Sequence, residues 1–328
     1  MLKLGIWRLD QHPAVGRAPF AWLRANHVDY RLLRTSQPPS AAAIAVFEDI
    51  MRDLRLPSGV FRTTEADRFR ELDAWVTPIL QSHFPDASPL IVFDWAVSDA
   101  ITSVAWHKQL SRAFPNLCFT ASDLHLYLLE MRVPDGGSFI LESSGAALQY
   151  VRPPWVIRLD PPEPWWLVVN GAMARRARER LRTLLDEHHI DPARVEFPKG
   201  AETVDYGPIQ FAKIPFLHPE ALALSQTAPS FRIVRHSVFE PATAKAHVVR
   251  TMNIFNPGYF DTARLELGAQ SVWHSLVTGG LWIVGRTVDS ATGRHRLSIL
   301  RKSVDRFELE CRFHEKSEIE DLALAVRL

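Results

Sequence analysis

The chain has few cysteines, no long apolar run and no excess of charge of either sign. Its two cysteines, Cys118 and Cys311, are too few to enclose a metal ion. A disulfide between them stays open, but both lie in strand-like apolar runs, which favours buried thiols. Lys and Arg number 38 against 37 for Asp and Glu, so the charge balance favours neither nucleic acid nor a membrane as a partner.

Targeting segments and several catalytic motifs are also absent. The longest apolar run, near residues 165–169, is much shorter than the ~20 residues that a membrane-spanning helix needs. The amino terminus lacks the apolar core of a signal peptide, so we expect a cytoplasmic protein. Neither a G-x-S-x-G elbow nor a G-x-x-x-x-G-K-S/T loop occurs, which disfavours the α/β-hydrolases and the P-loop proteins.

The most informative part of the chain lies between residues 88 and 123. Residues 90–93 are apolar throughout, which is typical of a strand in a parallel sheet covered on both faces. Residues 94–100 predict a tight turn, and residues 101–114 predict a helix with an apolar stripe. A second strand then ends in Asp123. A doubly wound nucleotide-binding sheet begins in this order, and it holds a ribose with the acid after its second strand.

Three parts are expected along the chain. Residues 1–86 predict a mostly helical N-terminal cap. Residues 131–213 contain strand-like pieces, proline-rich breaks and an arginine-rich helix, which indicates an inserted subdomain that covers the substrate. The core then comprises residues 87–130 and 214–328.

Local signals near the carboxyl terminus predict where elements begin and end. A helix over residues 260–277 is expected to end at Gly279-Gly280. Residues 296–313 predict a hairpin. Ser317 and Glu320 have the spacing of a capping box that opens a last helix.

This alternation of strands and helices, closed by a strand and a hairpin, resembles the class I S-adenosylmethionine-dependent methyltransferases. Residues 250–256, the helix after them and residues 276–285 look like the family's fourth strand, next helix and fifth strand, with Thr278 where the family has proline in L-x-P-G-G. The resemblance covers residues 88–125 and 214–315. It implies an α/β fold with a doubly wound, mostly parallel seven-stranded sheet and a terminal β-hairpin, extended by the helical cap and the inserted subdomain.

The first loop of the core departs from that family's D/E-x-G-x-G-x-G pattern, because residues 94–100 read D-W-A-V-S-D-A without a glycine. Alanine and serine are the next smallest residues, so they preserve much of the room for a ligand. The family's acid after the third strand is replaced by residues 236–239, H-S-V-F. The resemblance implies that S-adenosylmethionine is held by Asp94, Ala96, Ser98, Asp99, Asp123, Leu124, Ser237 and Phe239.

Charge distinguishes between the cofactors that such a loop binds. A dinucleotide brings its pyrophosphate to a helix N-terminus, where Asp94 and Asp99 would repel it. S-adenosylmethionine brings an ammonium and a sulfonium cation, which these acids attract. The separation of Asp123 from Asp99 along the chain is close to the ~20 residues expected for a ribose-binding acid. S-adenosylmethionine is therefore expected rather than NAD, and a nicotinamide-dependent oxidoreductase is disfavoured.

Three residues are expected to face the methyl acceptor: Asn253, Asn256 and Tyr259. Residues 256–259, N-P-G-Y, are similar to the N-P-P-Y box of amino-group methyltransferases, although a tight turn is the alternative. Tyr259, His236 and His247 are candidate general bases for a hydroxyl acceptor, with structural roles as the alternative.

Each remaining candidate also has a structural alternative. Asp94 and Asp123 can instead cap helices or end strands. His188, His189 and Asp191 lack a further ligand at matching spacing, so helix-capping chemistry and no metal site are expected there. The large cap and neutral charge favour a small-molecule acceptor. A non-catalytic methyltransferase-like binding or scaffolding protein is the alternative function, and a homodimer stays open.

Overall fold

A computed structural model describes residues 4–12, 27–34, 39–54, 65–159, 168–289 and 294–326. The chain divides into two units. We call Met1–Thr63 with His125–Pro219 the antiparallel unit, and Thr64–Leu124 with Glu220–Leu328 the doubly wound unit. These boundaries differ from the three expected parts. Most of the N-terminal segment shares a unit with the inserted segment, because Phe47 and Ile50 of the former pack against Ile140 of the latter.

The secondary structure alternates along the described residues. The α-helices are α1 (Ala41–Asp53), α2 (Arg70–His83), α3 (Ile101–Ala113), α4 (Val168–Glu187), α5 (Pro219–Thr227), α6 (Thr262–Ser275) and α7 (Glu320–Ala325). The strands are β1 (Gly5–Ile6), β2 (His27–Val28), β3 (Leu90–Trp95), β4 (Leu117–Asp123), β5 (Tyr127–Arg132), β6 (Ser138–Leu141), β7 (Ala147–Arg152), β8 (Trp155–Arg158), β9 (Thr203–Tyr206), β10 (Ile209–Pro215), β11 (Phe231–Arg235), β12 (Ala246–Met252), β13 (Leu276–Asp289), β14 (Arg294–Lys302) and β15 (Phe307–His314).

The doubly wound unit is built on a seven-stranded sheet in the order β11-β4-β3-β12-β13-β14-β15. The first five strands are parallel to their neighbours, and β14 is antiparallel to both β13 and β15. This confirms a mixed α/β fold with a seven-stranded sheet that ends in a hairpin. The sheet is only partly parallel, because β13, β14 and β15 follow one another as a meander.

The chain reverses its direction of travel across this sheet between β3 and β12. From β3 it moves outward through β4 to β11, and it then returns to β12 on the other side of β3. In open α/β sheets, ligands bind beyond the carboxyl ends of the strands at such a switch point. The loop after β3 therefore lies where the fold favours a ligand.

Side chains of β3 alternate between two cores. Phe93 and Trp95 pack with Val272 of α6 and with Trp282 of β13. Asp94 points to the opposite face, which α3 covers. The two faces of the sheet thus place a polar carboxylate beneath α3 and an apolar core beneath α6.

Two local predictions are wrong in this unit. α6 ends before Gly279 and Gly280, which lie inside β13, because the chain passes directly from the helix into the strand. Glu320 does not form the capping box with Ser317. Its carboxylate instead accepts two hydrogen bonds from Arg312, of 2.8 and 2.6 Å, and α7 begins without a side-chain cap.

Both cysteines are free thiols, but Cys118 is exposed and Cys311 only partly buried. The expectation of buried thiols is therefore wrong for Cys118. Its neighbour Phe119 contacts Trp106 of α3, so the alternation of the strand turns Cys118 away from that helix.

The antiparallel unit contains a six-stranded sheet in the order β8-β7-β6-β5-β10-β9, with every neighbouring pair antiparallel. One face packs against α4 through Ala174 and Leu181. The other face packs against α1 through Phe47 and Ile50. The strand-like pieces and the arginine-rich helix expected here are confirmed. Among the described residues, none of the helices has the length and apolar content that crossing a bilayer requires.

Candidate functional site

The loop between β3 and α3 adopts a backbone that suits glycine, yet it contains none. The φ angles of Ala96, Ser98 and Ala100 are 58°, 59° and 66°. These are the three positions at which the D/E-x-G-x-G-x-G pattern has glycine. The left-handed region costs a non-glycine residue roughly 1–2 kcal/mol. Because such strain persists mainly at functional sites, this loop is the strongest candidate for a ligand site in the unit.

Hydrogen bonds from backbone N–H groups to nearby carboxylates hold the loop in this shape. Oδ2 of Asp123, at the end of β4, accepts a hydrogen bond of 2.8 Å from the backbone N–H of Ser98. Oδ1 of Asp99 accepts one of 3.0 Å from the N–H of Ile101, the first residue of α3. The structure therefore brings Asp99 and Asp123, both expected cofactor ligands, to the same loop. Their contact with a cofactor stays a prediction.

Asp94 takes part in a buried ionic cluster that lies directly before the loop. Its Oδ1 accepts a hydrogen bond of 2.8 Å from Nε of Arg250, and its Oδ2 accepts bonds from Nη2 of Arg250 and Oγ of Ser103, at 2.5 and 2.6 Å. Nη1 of Arg250 donates to Oδ1 of Asp73 at 2.8 Å. The guanidinium also lies 3.9 Å from the ring centre of Trp106. Asp94 is thus neutralised by Arg250, and its role as a cofactor ligand stays a prediction.

Burial dominates the electrostatics of this cluster. Desolvation raises the pKa of Asp73 to about 7, although Arg250 acts in the opposite direction and Asp94 adds repulsion. Burial also works against the charge of Arg250, but Asp94 and Asp73 outweigh it and raise the pKa of that guanidinium. Arg250 therefore stays charged, and Asp73 is the member of the cluster that titrates near neutral pH.

The expected acceptor-side residues lie after β12, and the side-chain oxygens of the two asparagines accept hydrogen bonds from backbone N–H groups. Oδ1 of Asn253 accepts a hydrogen bond of 2.7 Å from the N–H of Thr287. Oδ1 of Asn256 accepts one of 2.8 Å from the N–H of Gly258. Tyr259 is 58% exposed. Residues 256–259 thus form a tight turn, which was the structural alternative, and the roles of these side chains in methyl transfer stay predictions.

The other expected cofactor residues follow β4 and β11. Leu124 is exposed, and its carbonyl accepts a hydrogen bond of 3.2 Å from Nε of Arg235. Oγ of Ser237 accepts one of 3.3 Å from the N–H of Phe239. The ring of Phe239 packs edge-on against Phe260. These positions lie at the carboxyl edge of the sheet, and their contact with a cofactor stays a prediction.

Both histidines considered as general bases have structural contacts. His236 packs against Trp95 with ring centres 4.5 Å apart, and burial lowers its pKa. Nδ1 of His247 accepts a hydrogen bond of 3.0 Å from the N–H of Ile91, at the opposite end of β3. Among the described residues, no cluster of His, Cys, Asp and Glu has a geometry that could hold a metal ion.

Sequence reasoning missed Arg250 and Asp73, although each left a signal. Arg250 interrupts the apolar run of a central strand, where a charged side chain needs a buried partner. Asp73 lies beside Leu72 on the apolar face of α2. Each of these two charges predicts a buried partner of opposite sign, but the sequence does not identify that partner.

Comparison with known proteins gives structural likeness only. No family model and no curated protein matches the chain. One similar solved structure is an O-methyltransferase family protein from Burkholderia thailandensis, at 10% identity and a TM-score of 0.32 over 75% of this chain and 42% of that one. Another is an amino pentose methyltransferase from Micromonospora echinaspora, bound to S-adenosylmethionine, at 11% identity and a TM-score of 0.33 over 80% and 83%.

A third is a sugar N-methyltransferase from a Streptoalloteichus species, at 10% identity and a TM-score of 0.31 over 76% of this chain and 74% of that one. The chain thus spans less than half of the first of these proteins. At TM-scores near 0.3 these likenesses carry no argument about function. The argument about function rests instead on the strand order and on the loop after β3.

Proposed function

We propose that the doubly wound unit binds S-adenosylmethionine at the loop after β3 and transfers its methyl group to a small-molecule acceptor. The observation that carries this proposal is the glycine-like backbone of Ala96, Ser98 and Ala100 at the switch point of the sheet. That backbone brings the main chain close to a ligand in the manner of a glycine-rich loop. Asp123 supports it from the end of the neighbouring strand.

The charge around this loop supports a cationic ligand. Asp94, Asp99 and Asp123 lie at the ends of β3 and β4 or in the loop, and Arg250 neutralises the first of them. The excess carboxylates would repel a pyrophosphate and attract an ammonium or a sulfonium group. The residues present therefore fit S-adenosylmethionine better than a dinucleotide.

Catalysis of methyl transfer mainly requires that the two reactants are oriented and that water is excluded from them. S-adenosylmethionine supplies an already activated methyl group when it is bound. The protein's part is to hold the acceptor in line with that methyl group. The backbone of the loop and Asp123 would hold the cofactor, while Asn253, Asn256 and the exposed Tyr259 would face the acceptor.

A non-catalytic binding protein is the second candidate, and specific contacts favour it. Both oxygens of Asp94 are bound by Arg250, and Oδ1 of Asn253 and of Asn256 accept hydrogen bonds from nearby backbone. Polar groups that are already hydrogen-bonded within the protein are less available to orient a substrate for reaction.

Isothermal titration of the full chain with S-adenosylmethionine and S-adenosylhomocysteine tests the cofactor. We expect saturable binding that Asp123→Asn weakens at least tenfold. Asp205→Asn, on β9 of the antiparallel unit, is the matched control and should bind like the wild type. Thermal unfolding of each variant shows whether it is folded.

Incubation with S-adenosylmethionine and a set of hydroxyl- and amine-bearing small molecules then separates the two candidates. Release of S-adenosylhomocysteine with a methylated product supports the enzyme. Binding without release supports the non-catalytic protein. No binding of either ligand to folded protein rejects both.

A further inference from the structure

A cavity of about 550 Å³ opens in the antiparallel unit, beside β5 and β6. Its apolar wall includes Trp7, Leu32 and Val133, and its polar wall includes Arg31, Arg34 and Arg132. This volume lies within the range of cavities that hold small molecules, and a mixture of apolar surface with a few polar groups is typical of them.

The charges around the cavity are arranged in two layers. The side chains of Arg31, Arg34 and Arg132 are 27%, 30% and 44% exposed. The carboxylates of Asp29 and Glu130, which also line the cavity, are only 1% and 2% exposed. A molecule that enters therefore meets guanidinium groups first, with the acids behind them.

The two buried acids hold these arginines in place. Asp29 accepts hydrogen bonds of 3.0 and 2.7 Å at Oδ2 from Nε and Nη2 of Arg31. Oε2 of Glu130 accepts bonds of 2.5 Å from Nη1 of Arg34 and 3.0 Å from Nε of Arg132. Burial alone would raise the pKa of Glu130, but the arginines, led by Arg34, outweigh it and lower that pKa. Glu130 is therefore ionised at neutral pH, and its arginines are fixed before any ligand arrives.

Positive charge is left over after this pairing. Three guanidinium groups face two carboxylates, so one positive charge is in excess. Nη2 of Arg34 is buried away from solvent and has no hydrogen-bond acceptor among the residues that the structure describes. Arg132 uses Nε for Glu130 and Nη1 for Gln210. Each guanidinium carries five N–H donors, so several remain for a further acceptor.

We propose that this cavity binds the oxyanion of a small molecule, a carboxylate or a phosphoryl group, whose apolar part packs against Trp7 and Leu32. Arginine suits both oxyanions because its planar fork donates two parallel hydrogen bonds. The buried acids reduce the ordering cost of binding, since the arginines already have their positions. This proposal does not rest on the proposed methyl transfer, since every residue that lines the cavity belongs to the antiparallel unit.

Isothermal titration of the full chain with inorganic phosphate and, separately, with benzoate tests the site at constant ionic strength. We expect saturable binding of at least one probe, and Arg132→Gln should weaken it at least tenfold. Arg194→Gln is the matched control, because Arg194 belongs to the same unit, is 87% exposed and does not line the cavity. Binding of phosphate alone identifies a phosphoryl ligand, and binding of benzoate identifies a carboxylate.

A second variant distinguishes a loss of binding from a loss of folding. Arg34→Gln alone leaves buried Glu130 with one partner fewer. We therefore combine it with Glu130→Gln, so that the double variant lacks one charge of each sign. This double variant should also lose the probe while thermal unfolding shows it folded. The proposal is overturned if folded wild-type protein shows no saturable binding of either probe, or if Arg194→Gln weakens binding as much as Arg132→Gln does.

Discussion

Replacing Arg250 with methionine should loosen the centre of the doubly wound sheet. In the structure this guanidinium is 1% exposed and binds the carboxylates of Asp73 and Asp94, which are each 3% exposed. Methionine removes the cation and leaves two buried carboxylates close to each other. Removing one partner from a buried ion pair costs about 3–5 kcal/mol. We expect a loss of local stability in that range at pH 8.

The same substitution should make the stability depend more strongly on pH. Desolvation already raises the pKa of Asp73 to about 7, and removing Arg250 removes the interaction that lowers this pKa. A folded pKa above the unfolded value of about 3.9 means that folding binds protons in the interval between the two values. Stability is therefore fully present below about pH 4 and falls as the pH rises through 7. The variant should lose less at pH 5 than at pH 8.

Hydrogen-exchange mass spectrometry on peptides from β3, β4 and β12 measures this loss locally. Since 1.4 kcal/mol is a factor of ten, exchange should speed up by roughly two to four orders of magnitude at pH 8. Peptides from β5 and β10 serve as the internal control and should not change. Adding Asp73→Asn and Asp94→Asn to Arg250→Met should restore at least half of the protection. Unchanged exchange in Arg250→Met, or a triple variant as unstable as the single one, contradicts the reasoning.

Four further predictions concern stability. Ala100→Gly should raise the unfolding free energy by about 1 kcal/mol, because φ is 66° there, and a lower midpoint in urea contradicts this. Gly285→Ala should cost about 1–3 kcal/mol, because its Cβ would lie 2.2 Å from the carbonyl oxygen of Arg296. Gly171→Ala in α4, with open space around its Cβ, should instead gain about 0.5–1 kcal/mol in the same assay. Because of Asp73, the stability of the wild type should fall by on the order of 4 kcal/mol between pH 4 and pH 7, and Asp73→Asn should abolish this fall. The prediction is wrong if thermal unfolding gives the variant the same dependence of stability on pH as the wild type.

The start of the doubly wound sheet could be predicted because its signals are local. β3 is a short apolar run with a turn after it, α3 has an apolar stripe, and β4 ends in Asp123. Each of these patterns lies within a few residues, and strand-to-helix alternation limits the topologies that remain. The hairpin had a local signal of its own, whereas the seven-stranded sheet was expected only from the family resemblance that this alternation carried.

The pairing of the antiparallel sheet could not be predicted, because it joins distant segments. β5 pairs with β10, so Leu129 lies opposite Lys213. The apolar pattern shows that both segments are strands, but it does not show which strand lies beside which. The ionic cluster has the same difficulty: Arg250 binds Asp94 across 156 positions and Asp73 across 177. An arginine in an apolar strand predicts a buried partner without identifying it.

The glycine-free loop keeps a glycine-like shape because its surroundings determine it from several sides. Asp94 is fixed at its start by Arg250, and Asp99 is bonded to α3 at its end. Between them, Asp123 holds the N–H of Ser98, and the N–H of Val97 donates to a carbonyl of β4. Three left-handed residues together cost several kcal/mol, a cost that these anchors offset. The absence of glycine therefore does not exclude a loop of this shape, and the shape is better judged from its anchors than from its composition.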